Sequence, residues 1–90
     1  MKYKYELSEP LVRQVAGMDE FAMGGTQLTV KTKDGKEYSR VLISACRYIV
    51  AIRDYTDLPF DPDDIESVYQ TAEDKDPKER GGWHYWDNWK

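Results

Sequence analysis

The dipeptide Asp34-Gly35 constrains this chain more than any other feature, because it joins two segments of alternating character. Along Thr26–Lys33, Leu28 and Val30 point to one side, and Thr29 and Lys31 to the other. Asp-Gly at such a junction signals a hairpin with a type I′ turn, which needs positive φ at both central positions. A two-residue loop sets Lys33 opposite Lys36, Lys31 opposite Tyr38, Val30 opposite Ser39 and Leu28 opposite Val41. Leu28, Val30, Val41 and Ile43 then share an apolar face, with Lys31, Tyr38, Arg40 and Leu42 on the reverse. A one-residue slip would turn the aliphatic row into water, so one face is expected to set the register.

The flanking segments extend this hairpin into a small domain. Arg47–Asp54 is expected as a third strand, with Tyr48, Val50 and Ile52 on one side and Ile49, Ala51 and Arg53 on the other. Both sides are apolar at mid-strand, which fits a strand covered on both faces. Upstream, Ser8-Glu9-Pro10 reads as a capped helix start, followed by Leu11, Val15 and Met18 on one stripe and Gly17 as the stop. In the connector Asp19–Gly25, Phe21 and Met23 alternate with other residues, as in a docked segment. Downstream, Asp61-Pro62-Asp63-Asp64 reads as one capped turn before a last strand, Ile65–Thr71. The expected fold is mainly β (α+β): an N-terminal helix on a strongly bent, barrel-like antiparallel sheet of four or five strands. The sequence divides into a domain over residues 1–71 and a C-terminal stretch over 72–90. That stretch begins with the charged run 72–82, read as a solvated linker or frayed helix, and ends in Trp83-His84-Tyr85-Trp86-Asp87-Asn88-Trp89-Lys90.

Ninety residues leave room for one core, and 40% hydrophobic content is enough to fill it. The longest apolar run, Tyr48–Ile52, is far short of the ~20 residues of a membrane-spanning helix. The N-terminus lacks the apolar stretch of a signal peptide, and Cys46 is the sole cysteine, which excludes an internal disulfide. A cytoplasmic protein without membrane association is expected. Charge is uneven: residues 1–56 carry nine Lys/Arg against seven Asp/Glu, and residues 57–90 carry four against ten. The overall charge of −4 weighs against nucleic-acid binding by the surface as a whole.

Lys33-Asp34-Gly35 between two strands and the turn Asp61–Asp64 before a last strand are similar to features of Sm-like and SH3-like small β-barrels. The resemblance spans Ser8–Thr71 and is one of architecture, not of a specific family. Arg40 stands where Sm-like chains carry a mid-strand glycine, and the residues that line the Sm-like RNA pocket have no counterpart here.

No segment carries a catalytic, metal or nucleotide signature, and no cofactor is expected. Asp61, Asp63 and Asp64 resemble the opening of a calcium loop, but Glu66 stands where that loop needs glycine and Ala72 where it needs a bidentate glutamate. His84 is the single histidine and forms no motif with Cys46. The candidate partner-binding residues are Trp83, Tyr85, Trp86 and Trp89, which offer large apolar area with polar handles, together with the basic set Arg40, Arg47 and Arg53. The tryptophan-rich end is expected either to fold back on its own barrel or to anchor a partner. The leading expectation is a non-enzymatic protein-interaction module that can self-associate. One alternative is single-stranded nucleic-acid binding through Lys31, Lys33, Lys36, Arg40 and Arg47, with Tyr38 and Tyr48 as stacking surfaces. Another is an acidic immunity or inhibitor protein directed at a basic partner.

Overall fold

A computed structural model describes residues 4–20, 25–76, 78 and 81–86. The chain is mainly β, a curled antiparallel half-barrel with short helices. Its elements run β1 (Tyr5–Glu6), α1 (Glu9–Ala16), β2 (Gly25–Thr32), β3 (Glu37–Ser44), β4 (Tyr48–Arg53), a 3-10 turn (Pro62–Asp64), β5 (Ile65–Tyr69), α2 (Ala72–Lys75) and β6 (Trp83–Tyr85). The strand order is β1-β4-β3-β2-β5, and β6 pairs separately with β4. Phe21 and Met23 of the connector lie outside the described residues, as does Trp89.

The β2–β3 hairpin forms, but not with the turn the sequence predicts. The Gly35 N–H donates to Thr32 O at 3.0 Å, and the Thr32 N–H to Lys36 O at 2.9 Å, so Lys33, Asp34 and Gly35 form a three-residue loop. Only Gly35 has positive φ there (+87°), the arrangement of a type I turn closed by a glycine bulge. Asp34 spends its carboxylate on the turn, accepting from the Thr32 hydroxyl and, at 3.2 Å, from the Lys36 N–H. The extra loop residue shifts the pairing near the turn to Lys31 with Glu37 and Val30 with Tyr38, whereas Leu28 still faces Val41. The difference is absorbed by a bulge in which Ser39 and Arg40 oppose Thr29. Arg40 takes φ +58° to make it, a backbone glycine would adopt without strain. The bulge turns Tyr38 from the outer face to the core side, where its ring lies 4.9 Å from Phe60 and 6.1 Å from Tyr55.

A second bulge corrects the reading of β4. Ile43 pairs with Ile49 and Leu42 with Ala51, leaving Val50 as the extra residue. Strict alternation therefore fails: Ile49 and Ile52 both enter the main core, while Val50 and Ala51 both face outward. The main core holds Leu7, Leu11, Val15, Leu28, Val30, Val41, Ile43, Ile49, Ile52, Ile65 and Val68. Each such side chain contributes about 1.5–3 kcal/mol by leaving water. On the outer face, Leu42, Val50 and Ala51 form a smaller cluster against which Tyr48 and Trp83 pack. β4 is thus covered on both faces, as its apolar middle implies.

Helix α1 buries Leu11 and Val15 as the stripe predicts, and its end is closed by the Gly17 N–H bonded to Gln14 O. Ser8 occupies the N-cap without a side-chain cap bond. The helix is pinned instead by Arg47, which binds Glu9 at 2.7 Å and Glu6 of β1 at 3.2 Å. The Asp61 carboxylate accepts from the Asp63 N–H at 2.9 Å, so the capped turn before β5 is present. β5 ends at Tyr69, two residues earlier than expected, because Thr71 serves as a helix cap. Thr71 and Asp74 form a reciprocal capping box that builds α2. The segment read as a solvated linker thus begins with a docked turn: Asp74 is buried, its Oδ2 accepting from the Thr29 hydroxyl and the Thr71 N–H, both at 2.9 Å.

Candidate interaction surface

The outer edge of β4 is where the chain ends meet. β1 occupies its first half, with Tyr5 opposite Ile49 and Glu6 opposite Tyr48. β6 occupies its second half, with Tyr85 opposite Ala51, His84 opposite Ile52 and Trp83 opposite Arg53. Two short extended segments therefore lie end to end along one strand. Each buries main-chain groups that an exposed edge would leave without a sheet partner.

Two indoles hold β6 in place. Trp83 lies against the outer apolar cluster, and its Nε1–H donates to Arg40 O at 3.1 Å, the carbonyl turned outward by the β3 bulge. Trp86 reaches the other way, packing on the main core while its Nε1–H donates to Ile49 O at 3.0 Å. Its ring meets Tyr5 edge-on at 5.7 Å, so Trp86 sits at the junction between β1 and β6. Tyr85 is 54% exposed, the most exposed large hydrophobic residue described.

The three arginines are distributed along this surface. Arg40, its side chain 16% exposed, binds Glu73 of α2 at 2.6 Å. Arg53 donates its Nε–H to Gly81 O at 2.9 Å, just ahead of β6. Both line one shallow depression of about 370 Å³, which Tyr38, Asp54 and Tyr55 also line. Two of the three thus receive groups from the acidic C-terminal stretch. Arg47 stands at the opposite end of β4, and its two glutamates come from the N-terminal segment instead. The hydrogen bond from Arg47 holds the Glu9 carboxyl below the usual carboxylate range, and the same contacts raise the Arg47 guanidinium.

Sequence reasoning missed the residues that set up this geometry. Gly81 and Gly82 both take positive φ, +93° and +73°, where the chain bends into β6. A Cβ on Gly82 would lie 3.2 Å from Arg53 Nε. Glycine-glycine before an aromatic segment was the available signal. The Thr71–Asp74 spacing was likewise the signal for the capped turn that places Glu73 beside Arg40.

Cys46 lies in the β3–β4 turn, and His84 pairs with Ile52 near the far end of β4. Six residue steps separate Cys46 from Ile52, roughly 20 Å along an extended chain. Among the described residues no cluster of three or more His, Cys, Asp or Glu is placed to hold a metal ion. Four of the five cations proposed for nucleic acid face carboxylates: Lys31 with Glu66 and Lys36 with Asp34, both at 3.9 Å, and Arg40 and Arg47 as above; Lys33 lies in the β2–β3 loop. Phosphate would have to displace these carboxylates. No described helix is long and apolar enough to cross a membrane. No family model, curated protein or solved structure matches this chain.

Proposed function

We propose that this chain is a non-enzymatic protein-interaction module that takes up extended, aromatic-bearing segments along the outer edge of β4. The observation that carries the reading is the edge itself, which accommodates two separate short strands end to end, one anchored by paired indoles. Main-chain pairing along a strand supplies affinity and side-chain docking supplies selectivity, the usual division in strand addition. The opposite sheet edge is less suited. β5 is five residues long, is bulged at Glu66 and exposes that charge, features that guard a strand against pairing.

The test uses the full chain and its Trp83→Ala/Trp86→Ala variant, which removes both anchors of β6 while keeping every buried aliphatic residue of the two clusters, and whose folding is checked by circular dichroism. A synthetic peptide of residues 81–90 is titrated against both by calorimetry. Binding to the variant, with weaker binding to the parent whose own segment competes, is the expected result. A folded variant that binds no peptide removes the reading.

A further inference from the structure

The occupant of the β4 edge is part of this same chain, and each copy carries both the edge and the segment that fits it. Complementarity between two copies is therefore already present in the intrachain contacts. The segment is held within one copy by short strand pairing over Trp83–Tyr85, by two indole hydrogen bonds and by the packing of Trp83 and Trp86, and a second copy presents the same groups. What directs it back is a bend at Gly81-Gly82, both in the left-handed region, with the Arg53 side chain against Gly82. The stretch from residue 76 to 82 joins α2 to β6. Extended, those seven residues span about 23–25 Å, while the molecule measures 31 × 29 × 24 Å. That span equals the shortest dimension of the molecule, so a straightened linker can reach a copy that abuts this edge.

We propose that the partner is a second copy of this chain, and that two copies associate by exchanging residues 83–86, each laying its β6 on the other's β4. This rests on the strand-accepting edge proposed above. Every contact made within one copy recurs between the two: Trp83 to the Arg40 carbonyl, Trp86 to the Ile49 carbonyl and Tyr5, and Tyr85, His84 and Trp83 opposite Ala51, Ile52 and Arg53. The difference lies in the hinge, which opens to an extended path that needs no positive φ. Such exchange is a low-cost route to a closed two-fold dimer.

The hinge gives a discriminating variant. Gly82→Val penalises the bent path through its positive φ and its approach to Arg53, and leaves an extended path unimpaired. Two hinges are relieved per dimer, so light scattering over a concentration series is expected to show the dimerisation constant of Gly82→Val raised about a hundredfold over the parent. In a mixture of isotopically labelled and unlabelled copies, nuclear Overhauser contacts between His84 and Ile52 are expected across chains. A Gly82→Val chain that stays monomeric, with its segment either released or still docked, overturns exchange. A dimer whose His84–Ile52 contacts all remain within one copy also overturns it, while leaving the edge reading standing. Failure of peptide 81–90 to bind the vacated edge would remove both. If Gly82→Val does not fold, the parent chain, refolded from mixed labelled and unlabelled copies at high concentration, gives the same decision from the same cross-chain contacts.

Discussion

Ala45 and Cys46 sit side by side at φ +55° and +61°, with the Arg47 N–H bonded to Ser44 O at 3.1 Å. This is the type I′ conformation that the sequence led one to place at Asp34-Gly35. It occurs one hairpin later, on two residues with side chains. Left-handed backbone costs an L-residue roughly 1–2 kcal/mol, which glycine or asparagine avoids in large part. Ala45 is exposed, so Ala45→Asn should stabilise the chain by about 0.5–1 kcal/mol in urea unfolding. Cys46 packs on the main core, so Cys46→Gly should gain less, the relieved strain being offset by lost contact. Gly35 presents the converse case. A Cβ there meets nothing within 4 Å, so Gly35→Ala should cost about 1 kcal/mol, from φ alone. Residue preference thus marked both hairpins' strands but misassigned the turn type. Asp34 served its turn by side-chain bonding rather than by left-handed backbone, and nothing about Ala-Cys announces a strained reversal.

At the scale of elements, the aliphatic periodicities gave α1, β2, β3 and β5 close to their observed bounds, because each has one face that must leave water. The three bulges, at Ser39-Arg40, Val50 and Glu66, were not legible, since a bulge is a property of two paired strands and not of either alone. Two of them decide the candidate site: one aims the Arg40 carbonyl at Trp83, and the other puts Val50 beneath the same ring's cluster. α2 was hidden for a different reason. Its charged composition matches a solvated linker, and tertiary contacts make it a docked turn: the Thr71–Asp74 box, the Thr29 hydroxyl on Asp74, Gln27 on the Asp74 carbonyl and Arg40 on Glu73. Asp74→Ala should therefore destabilise by about 2 kcal/mol, combining a lost cap with an orphaned buried hydroxyl, and Asp74→Asn by distinctly less. Both are measurable by urea denaturation. The Arg47 tie between β1 and α1 sets an acid response. The Glu9 carboxyl is held below its ordinary value by Arg47, so its contribution is present above the unfolded-state pKa and is lost as pH falls through the lowered folded-state value. Asp34, held down by the Thr32 hydroxyl, and Asp57, held down by the Tyr5 hydroxyl, act in the same direction. Melting temperature should fall as pH drops through and below the usual carboxylate range, and less steeply in Arg47→Met.

For the whole molecule, part of the charge asymmetry is met internally. Arg40 with Glu73, Lys31 with Glu66 and Lys4 with Asp57 each join a basic residue of the first 56 to an acid of the remainder, and Lys75 with Asp19 runs the other way. These exposed pairs add little stability individually, but they orient the later segments over the sheet. In the C-terminal stretch three tryptophans suit both a buried anchor and a partner contact, and it is the Arg40 and Ile49 carbonyls that give two of the three an intramolecular seat. All three tryptophans of the chain fall within its last eight residues, and two of them are seated along β4. Selectively excited indole emission therefore arises entirely from this one end, while the seven tyrosines are spread along the chain from Tyr3 to Tyr85. The protein carries its own optical label for undocking: a red shift of the emission that precedes the loss of far-ultraviolet circular dichroism on heating would show the end strand leaving before the half-barrel opens.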